Sequence, residues 1–180
     1  CVDSAVVLGP LMHEFGWTAQ DYDLLATGSL AGHIIECGAQ CTGGNFTDWH
    51  LVDNFDDMGF PLAEVESNGD FSVTKPNGTG GIVSFRSVAA QFLYEIGDSR
   101  AYILPAVVCD FTNVTMEGLE PNRVLVRGAK GLSPTDAYKV SATYLKGYRI
   151  SIAVIIVGIK ATEKAQVSAE AIIKKTQRIF

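Results

Sequence analysis

Two stretches concentrate the residues able to do chemistry: His33–Trp49 (HIIECGAQCTGGNFTDW) and Thr74–Gly81 (TKPNGTGG). Successive glycines expose backbone N–H groups, and small hydroxyl side chains beside them add donors. Gln40, Thr42, Gly43, Gly44 and Asn45 supply the first set, and Gly78, Thr79, Gly80 and Gly81 the second. The second set leads into a helix, whose positive end favours an anion. Lys75 adds a full charge close by. Phosphate, carboxylate or a developing enolate oxygen suits such donors. The plain alternative is two glycine-rich turns with no ligand. Neither stretch ends in the Gly-Lys-Ser/Thr of a phosphate loop, and neither sits in the strand–turn–helix context of a dinucleotide fingerprint.

Glu36, Asp48, His50 and Asp110 are the acid–base candidates, weighed against the usual fate of charged residues as solvated surface. Asp48 and His50 flank Trp49 directly after the glycines. Cys37 is a candidate nucleophile beside Glu36 and in reach of His33, although a helix C-terminus raises rather than lowers a thiol pKa. His33, Cys37 and Cys41 are spaced four and four. On an unbroken helix they span about 12 Å, too far for one metal ion, so no metal is expected. Cys109, in an apolar run, reads as core. Asp53, Asp56 and Asp57 read as a solvated acidic patch, and Trp17, Phe46 and Trp49 as packing.

The elements that must carry these residues follow from period. Val6, Leu8, Leu11, Met12 and Phe15 form a helical stripe that Gly16 ends, with Pro10 a blemish near its middle. A second helix covers Asp21–Glu36, with Leu24, Leu25, Leu30, Ile34 and Ile35 on its apolar side. Gly28 and Gly32, four apart, let another element come close, and Gly38 breaks the chain into an irregular segment. From Pro61 the period changes to two, and Asn68-Gly69 marks a hairpin between Leu62–Val65 and Phe71–Val73. Val83, Val88, Ala89, Phe92, Leu93 and Ile96 give a helix that Ser84 or Ser87 caps and Gly97 stops. Val107–Asp110 reads as a strand, and Val114–Leu119 with Arg123–Arg127 as a hairpin around Pro121-Asn122. Tyr138–Leu145 and Tyr148–Val157 read as a further hairpin turning at Lys146-Gly147. Its second arm, ISIAVIIV, is continuous enough for a central buried strand. Ala161–Ile179 is an amphipathic helix with Ala165, Val167, Ala171, Ile172 and Ile173 inward. Helices lead and mostly antiparallel strands follow, so the expected fold is α+β or mixed α/β, with flanking helices on an antiparallel or mixed sheet.

The 180 residues are enough for one domain, 1–180, with a real core. A hydrophobic content of 47% against 19% charged is globular rather than disordered. A net charge of -6 and no basic run exclude a nucleic-acid partner. The longest apolar run, Ile150–Ile159, is about half of a spanning helix, so no membrane association is expected. The chain opens at Cys1 without methionine or a leader, which reads as a start inside a longer polypeptide. Four cysteines are too few for a disulfide scaffold and fit reduced thiols in the cytoplasm. Three Asn-X-Thr triplets, at Asn45, Asn77 and Asn113, read as coincidences of composition.

The segments GHIIECGAQCTGGNFTDW, GFPLAEV, TKPNGTGG and QFLYEIGD together resemble the acyclic terpene utilisation (AtuA-like) proteins, a family first described as a domain of unknown function. The opening DSAVVLGPLMHEFGW and the later GYRISIAVIIVG and KATEKA extend the resemblance over essentially the whole chain. Family members are longer at both ends, which implies an N-terminal α/β region absent here. The resemblance implies a place beside biotin-dependent acyl-CoA carboxylases and enoyl-CoA hydratases, and a step on a branched acyl-CoA or the matching acid. The motif positions it marks are Glu36, Cys37, Gln40, Thr42, Gly43, Gly44, Asp48, Lys75, Pro76, Gly78, Thr79, Gly80 and Gly81. Cys41 and Asn45 lie outside the expected pattern.

Two functional expectations result. One is a lyase or hydratase in which the glycine loops and Asn45 hold an anionic acyl substrate, Lys75 gives charge, Glu36 or Asp48 moves a proton and Cys37 is the nucleophile candidate. It needs no cofactor beyond a coenzyme A thioester as substrate. The other is a non-catalytic subunit docked on an acyl-CoA carboxylase or hydratase. A homo-oligomer is expected in either case.

Overall fold

Every residue from Leu25 to Ile34 is buried, so the helix that contains them, α2 (Tyr22–Ile35), has neighbours on all sides rather than on one apolar stripe. A helix buried all round must let other backbones approach. A Cβ at Gly28 would lie 2.7 Å from Leu8 and 3.3 Å from Trp17, and one at Gly32 only 1.8 Å from the Ser4 carbonyl oxygen. The expected close approach at these two glycines is what the fold uses. The approaching element is α1 (Leu8–Phe15) with the short turn of 3-10 helix Ser4–Val7 before it. Pro10 falls in the first turn of α1, where its missing N–H costs nothing. Gly16 closes α1 in the left-handed region at φ 68°.

The structure is a computed structural model that describes residues 4–137, 140 and 142–179. They fall in two compact units, Cys1–Lys139 and Val140–Phe180. In the first unit, β1 (Leu62–Val65), β2 (Phe71–Thr74), β5 (Thr115–Glu120) and β6 (Arg123–Arg127) form an antiparallel sheet in the order β1-β2-β6-β5. The β1–β2 register pairs Leu62 with Thr74 and Val65 with Phe71. The turn between them bonds Glu66 N–H to the Asp70 carbonyl, with Gly69 at φ 93°. The β5–β6 turn places Asn122 at φ 59°, a conformation asparagine tolerates. A second antiparallel sheet, β3-β4-β7, consists of Tyr102–Ile103, Val108–Asp110 and Lys130–Leu132. Helix α2 touches β1 of the first sheet and both β4 and β7 of the second. Leu25, Leu30 and Ile34 of α2 meet Phe71, Val73, Val124, Val126, Val107 and Cys109 in one core. Each such side chain contributes about 1.5–3 kcal/mol by burial.

Helix α3 (Phe85–Leu93) begins with a capping box. Ser87 N–H donates to the Ser84 hydroxyl, while Ser84 N–H is received by Ser87 Oγ. Both serines therefore cap the same end. The helix stops at Leu93 rather than at Gly97, because Tyr94 turns extended and Glu95 takes φ 61°. The mixed α+β architecture expected from the sequence is the one observed, with antiparallel sheets of four and three strands. Two of the three shortest strands, β3 and β7, have no counterpart among the elements expected from the sequence.

In the second unit, α4 (Ala161–Ile179) matches the expected helix. Its inward face is not as expected: it has no buried residue, and Val167 and Ile173 are exposed. Ala165, Ala171, Ile172 and Ile173 instead flank an open groove with Ile150, Ile152, Val154 and Ile156. The expected central strand 148–157 is also corrected. It runs without strand pairing among the described residues, and Ile155 is 92% exposed. An apolar run makes a buried strand only where partner strands bond both edges. Of its expected hairpin partner, Tyr138, Lys139 and Ser141 lie outside the described residues.

Candidate functional site

The chain beyond α2 folds into three segments, 39–46, 53–59 and 75–82, that are bonded to one another. Thr42, fully buried, donates its hydroxyl toward the Gly59 carbonyl at 2.6 Å and lies 3.1 Å from that of Ala39. Its own carbonyl receives Ile82 N–H at 2.8 Å. Gly80 N–H donates to Asp57 and Gly81 N–H to Asp53, each at 2.8 Å, and Gly59 N–H reaches the Gly80 carbonyl at 3.2 Å. Met58 and Gly80 form a parallel bridge. The glycines serve this stitching by having no side chain. A Cβ at Gly80 would lie 2.1 Å from the Asn54 carbonyl oxygen, and one at Gly81 2.9 Å from that of Thr42.

The two glycine-rich stretches do meet, and the donor role expected of them is corrected for the N–H groups of Gly43, Gly44, Gly80 and Gly81. Gly43 N–H is bonded to Gln40, Gly44 N–H to Ala39, Gly80 N–H to Asp57 and Gly81 N–H to Asp53. Buried backbone N–H groups take partners, and here neighbouring loops supply them. Lys75 is corrected likewise. It is buried, and its ammonium donates to the Thr79 carbonyl at 2.6 Å, closing its own loop rather than facing outward. Thr79 Oγ1 donates back to the Pro76 carbonyl at 2.7 Å. Asn45 and Gly78 are exposed, and Gln40 is half-buried.

Asp48 pairs with Arg86 of the first turn of α3, and that guanidinium also lies 5.8 Å from the centroid of the Phe46 ring. The arrangement clamps the end of the first glycine loop to the start of α3. Nothing in the sequence around Arg86 singled it out. Beside the stitched loops is an open cleft of about 500 Å³ lined by Leu51, Val83, Phe85, Leu119, Asn122 and Arg123 among others. Of the expected site residues only Gly81 lines it; Glu36 and Asp48 do not.

Glu36 and Cys37 lie elsewhere, at the C-terminal end of α2. His33, fully buried, places Nδ1 2.9 Å from Glu36 Oε1 and Nε2 3.2 Å from the Phe92 carbonyl oxygen. The Gln91 side-chain amide donates to the His33 carbonyl at 3.0 Å. The Glu36 side chain keeps 12% of its surface exposed. Tyr94 stands in the field of this group. Its phenol is held above the ordinary tyrosine value, first by the Glu95 carboxylate and further by Cys37 and Glu36. Cys37 is half-buried, whereas burial pushes the Cys41 and Cys109 thiols up to about 12. Among the described residues no group of three His, Cys, Asp or Glu side chains is placed to hold a metal ion. His50 and Asp110 stay apart from both clusters: His50 packs edge-on to Trp49, and Asp110 accepts from Thr112.

A family model described as acyclic terpene utilisation family protein AtuA matches residues 1–179. The chain belongs to this family. The AtuA motif positions therefore divide in two: the glycine-rich pair forms the stitched loops, and Glu36-Cys37 forms the end of α2. No curated protein and no solved structure matches the chain. Family membership places the AtuA chain in acyclic terpene utilisation. Among the described residues, no helix is long and apolar enough to cross a membrane.

Proposed function

We propose that this AtuA chain is part of a lyase or hydratase acting on a branched acyl-CoA or the corresponding carboxylic acid, with Glu36 as the proton-transferring group. The observation that carries this reading is the Glu36 carboxylate, partly exposed and held at 2.9 Å by a histidine with no exposed surface. A general acid or base needs an accessible oxygen whose orientation is fixed from behind. The glycine loops then act as the rigid frame that starts α3 and brings Phe92 and Tyr94 against α2. Lys75 and Asp48 belong to that frame.

A second reading, an accessory subunit docked on an acyl-CoA carboxylase or hydratase, draws on a different observation. Trp49, Leu51, Phe55 and Phe60 follow closely along one segment and are each about half or more exposed. Aromatic side chains grouped on a surface are typical interface anchors. Thermal-shift titration with coenzyme A, branched acyl-CoAs and the free acids separates the two. The enzyme reading expects stabilisation by a thioester or acid, and turnover that is lost in Glu36→Gln. No shift with any of them, together with co-purification with a carboxylase that Trp49→Ala abolishes, refutes it in favour of the subunit.

A further inference from the structure

The hydrogen bonds of His33 require one more proton than a neutral imidazole has. Nε2 faces the Phe92 carbonyl and Nδ1 faces a carboxylate oxygen, and both partners accept. A neutral ring offers one N–H and one lone pair. The carbonyl has no proton to give, so Nε2 carries the N–H. A second proton must then lie between Nδ1 and Oε1; otherwise two lone pairs face each other at 2.9 Å, at a ring with no exposed surface.

We propose that His33 and Glu36 hold this second proton between them at neutral pH, so that Glu36 is the outward end of a two-residue proton store. The inference rests on the preceding reading only for what Glu36 does with the proton. When the proton moves from Nδ1 to Oε1, the ring becomes neutral with its Nε2–H still on Phe92, and Glu36 becomes a carboxylic acid able to donate. His33 is thus a positioning residue from which the one stored proton passes to Glu36, and the pair takes up its next proton from outside through Glu36. Among the described residues, Tyr94, Cys37 and Glu95 share the field of Glu36. The Tyr102 ring lies tilted, 6.0 Å from the imidazole by centroid. The Gln91 bond to the His33 carbonyl fixes the helix end that carries both residues.

The test is nitrogen-15 NMR of the histidine rings in the whole protein, which has three histidines. His13 and His50 are exposed and serve as internal references for the buried ring. At pH 8 the pair is expected to keep its proton, seen as two protonated ring nitrogens on His33 or as a protonated Glu36 carboxyl carbon. Glu36→Gln, whose amide can still donate to Nδ1, is expected to leave a neutral ring in a folded protein. Stability gives an independent readout. The folded state binds a proton that the unfolded chain releases above about pH 6.5, so stability falls as pH rises. The unfolding constant of the wild type should climb by up to about tenfold per pH unit relative to Glu36→Gln. A wild-type ring that is neutral at pH 7 beside an ionised carboxylate overturns the proposal, as does a pH-independent difference between the two proteins. If the proton signature is present and no acyl compound binds, only the enzymatic reading falls.

Discussion

Replacing Gly80 by alanine separates a structural glycine loop from a ligand-binding one. Gly80 has an ordinary backbone conformation, so the effect of a methyl group is purely spatial. The new Cβ would lie 2.1 Å from the Asn54 carbonyl oxygen, 2.7 Å from Asn54 Cβ and 2.8 Å from the Asp53 carbonyl oxygen. Backbone atoms must retreat by about 1 Å to reach even 3.0 Å, a separation real Cβ atoms rarely breach. The same backbone receives Gly81 N–H at Asp53, and Gly80 N–H goes to Asp57. Overpacking costs about 1–3 kcal/mol, and weakening two buried hydrogen bonds adds about 1 kcal/mol each. A loss of about 3–5 kcal/mol is a large share of a typical stability of about 5–15 kcal/mol. It corresponds to a drop in Tm on the order of 10 °C for a chain of this size. Urea unfolding followed by circular dichroism measures it. Gly78→Ala is the control: nothing lies within 4 Å of its Cβ, and only its φ of +80° is strained, at about 1–2 kcal/mol. If Gly80→Ala unfolds no more easily than Gly78→Ala, the stitched loops are wrong. If it stays stable but loses acyl binding, the donor-loop reading returns.

Other perturbations probe the same frame. Thr42→Val keeps the shape and removes the hydroxyl that bonds the Gly59 carbonyl, leaving a buried acceptor unpaired; denaturation should register a loss of about 1–3 kcal/mol, and no loss would place that hydroxyl in solvent. With thiols pushed up to about 12, Cys41 and Cys109 should resist iodoacetamide at pH 8 in the native protein and react in urea, whereas half-buried Cys37 should react first. Peptide mass spectrometry reads this, and native labelling of Cys41 contradicts its burial. Asp23 is held below the ordinary carboxylate value by a side-chain bond from Lys130 and then by Gly131 N–H, tying α2 to β7. A lowered carboxylate stabilises above its unfolded value of about 3.9 and ceases to as pH falls below it. Asp23→Asn should therefore cost up to about 1 kcal/mol at pH 7, discounted for exposure, and leave stability unchanged at the lowest pH. An equal loss at both pH values refutes the ionic link.

The elements legible in the sequence are those whose signal is local. Period 3.6 with a glycine stop marked α1, period two around Asn68-Gly69 marked the first hairpin, and Asp21–Glu36 matched α2 to a residue at either end. The serine pair before α3 was readable because a capping box is a contact three residues apart. The family was also legible, because long unusual motifs survive without knowledge of their contacts. Tertiary structure decided the rest. β3 and β7 have two and three residues, too few for alternation to show, and exist only because β4 pairs with both. ISIAVIIV looks like a buried strand in any sequence, yet burial is a property of what lies beside it. In the glycine stretches the N–H groups of Gly43, Gly44, Gly80 and Gly81 go to neighbouring carbonyls. A sequence shows that a glycine can expose its N–H, while only the fold shows that the Asp53, Asp57, Ala39 and Gln40 carbonyls have taken it. His33 was legible as a neighbour of Glu36 and Cys37, whereas only the fold brings the carbonyl of Phe92, 59 residues away, onto its second nitrogen.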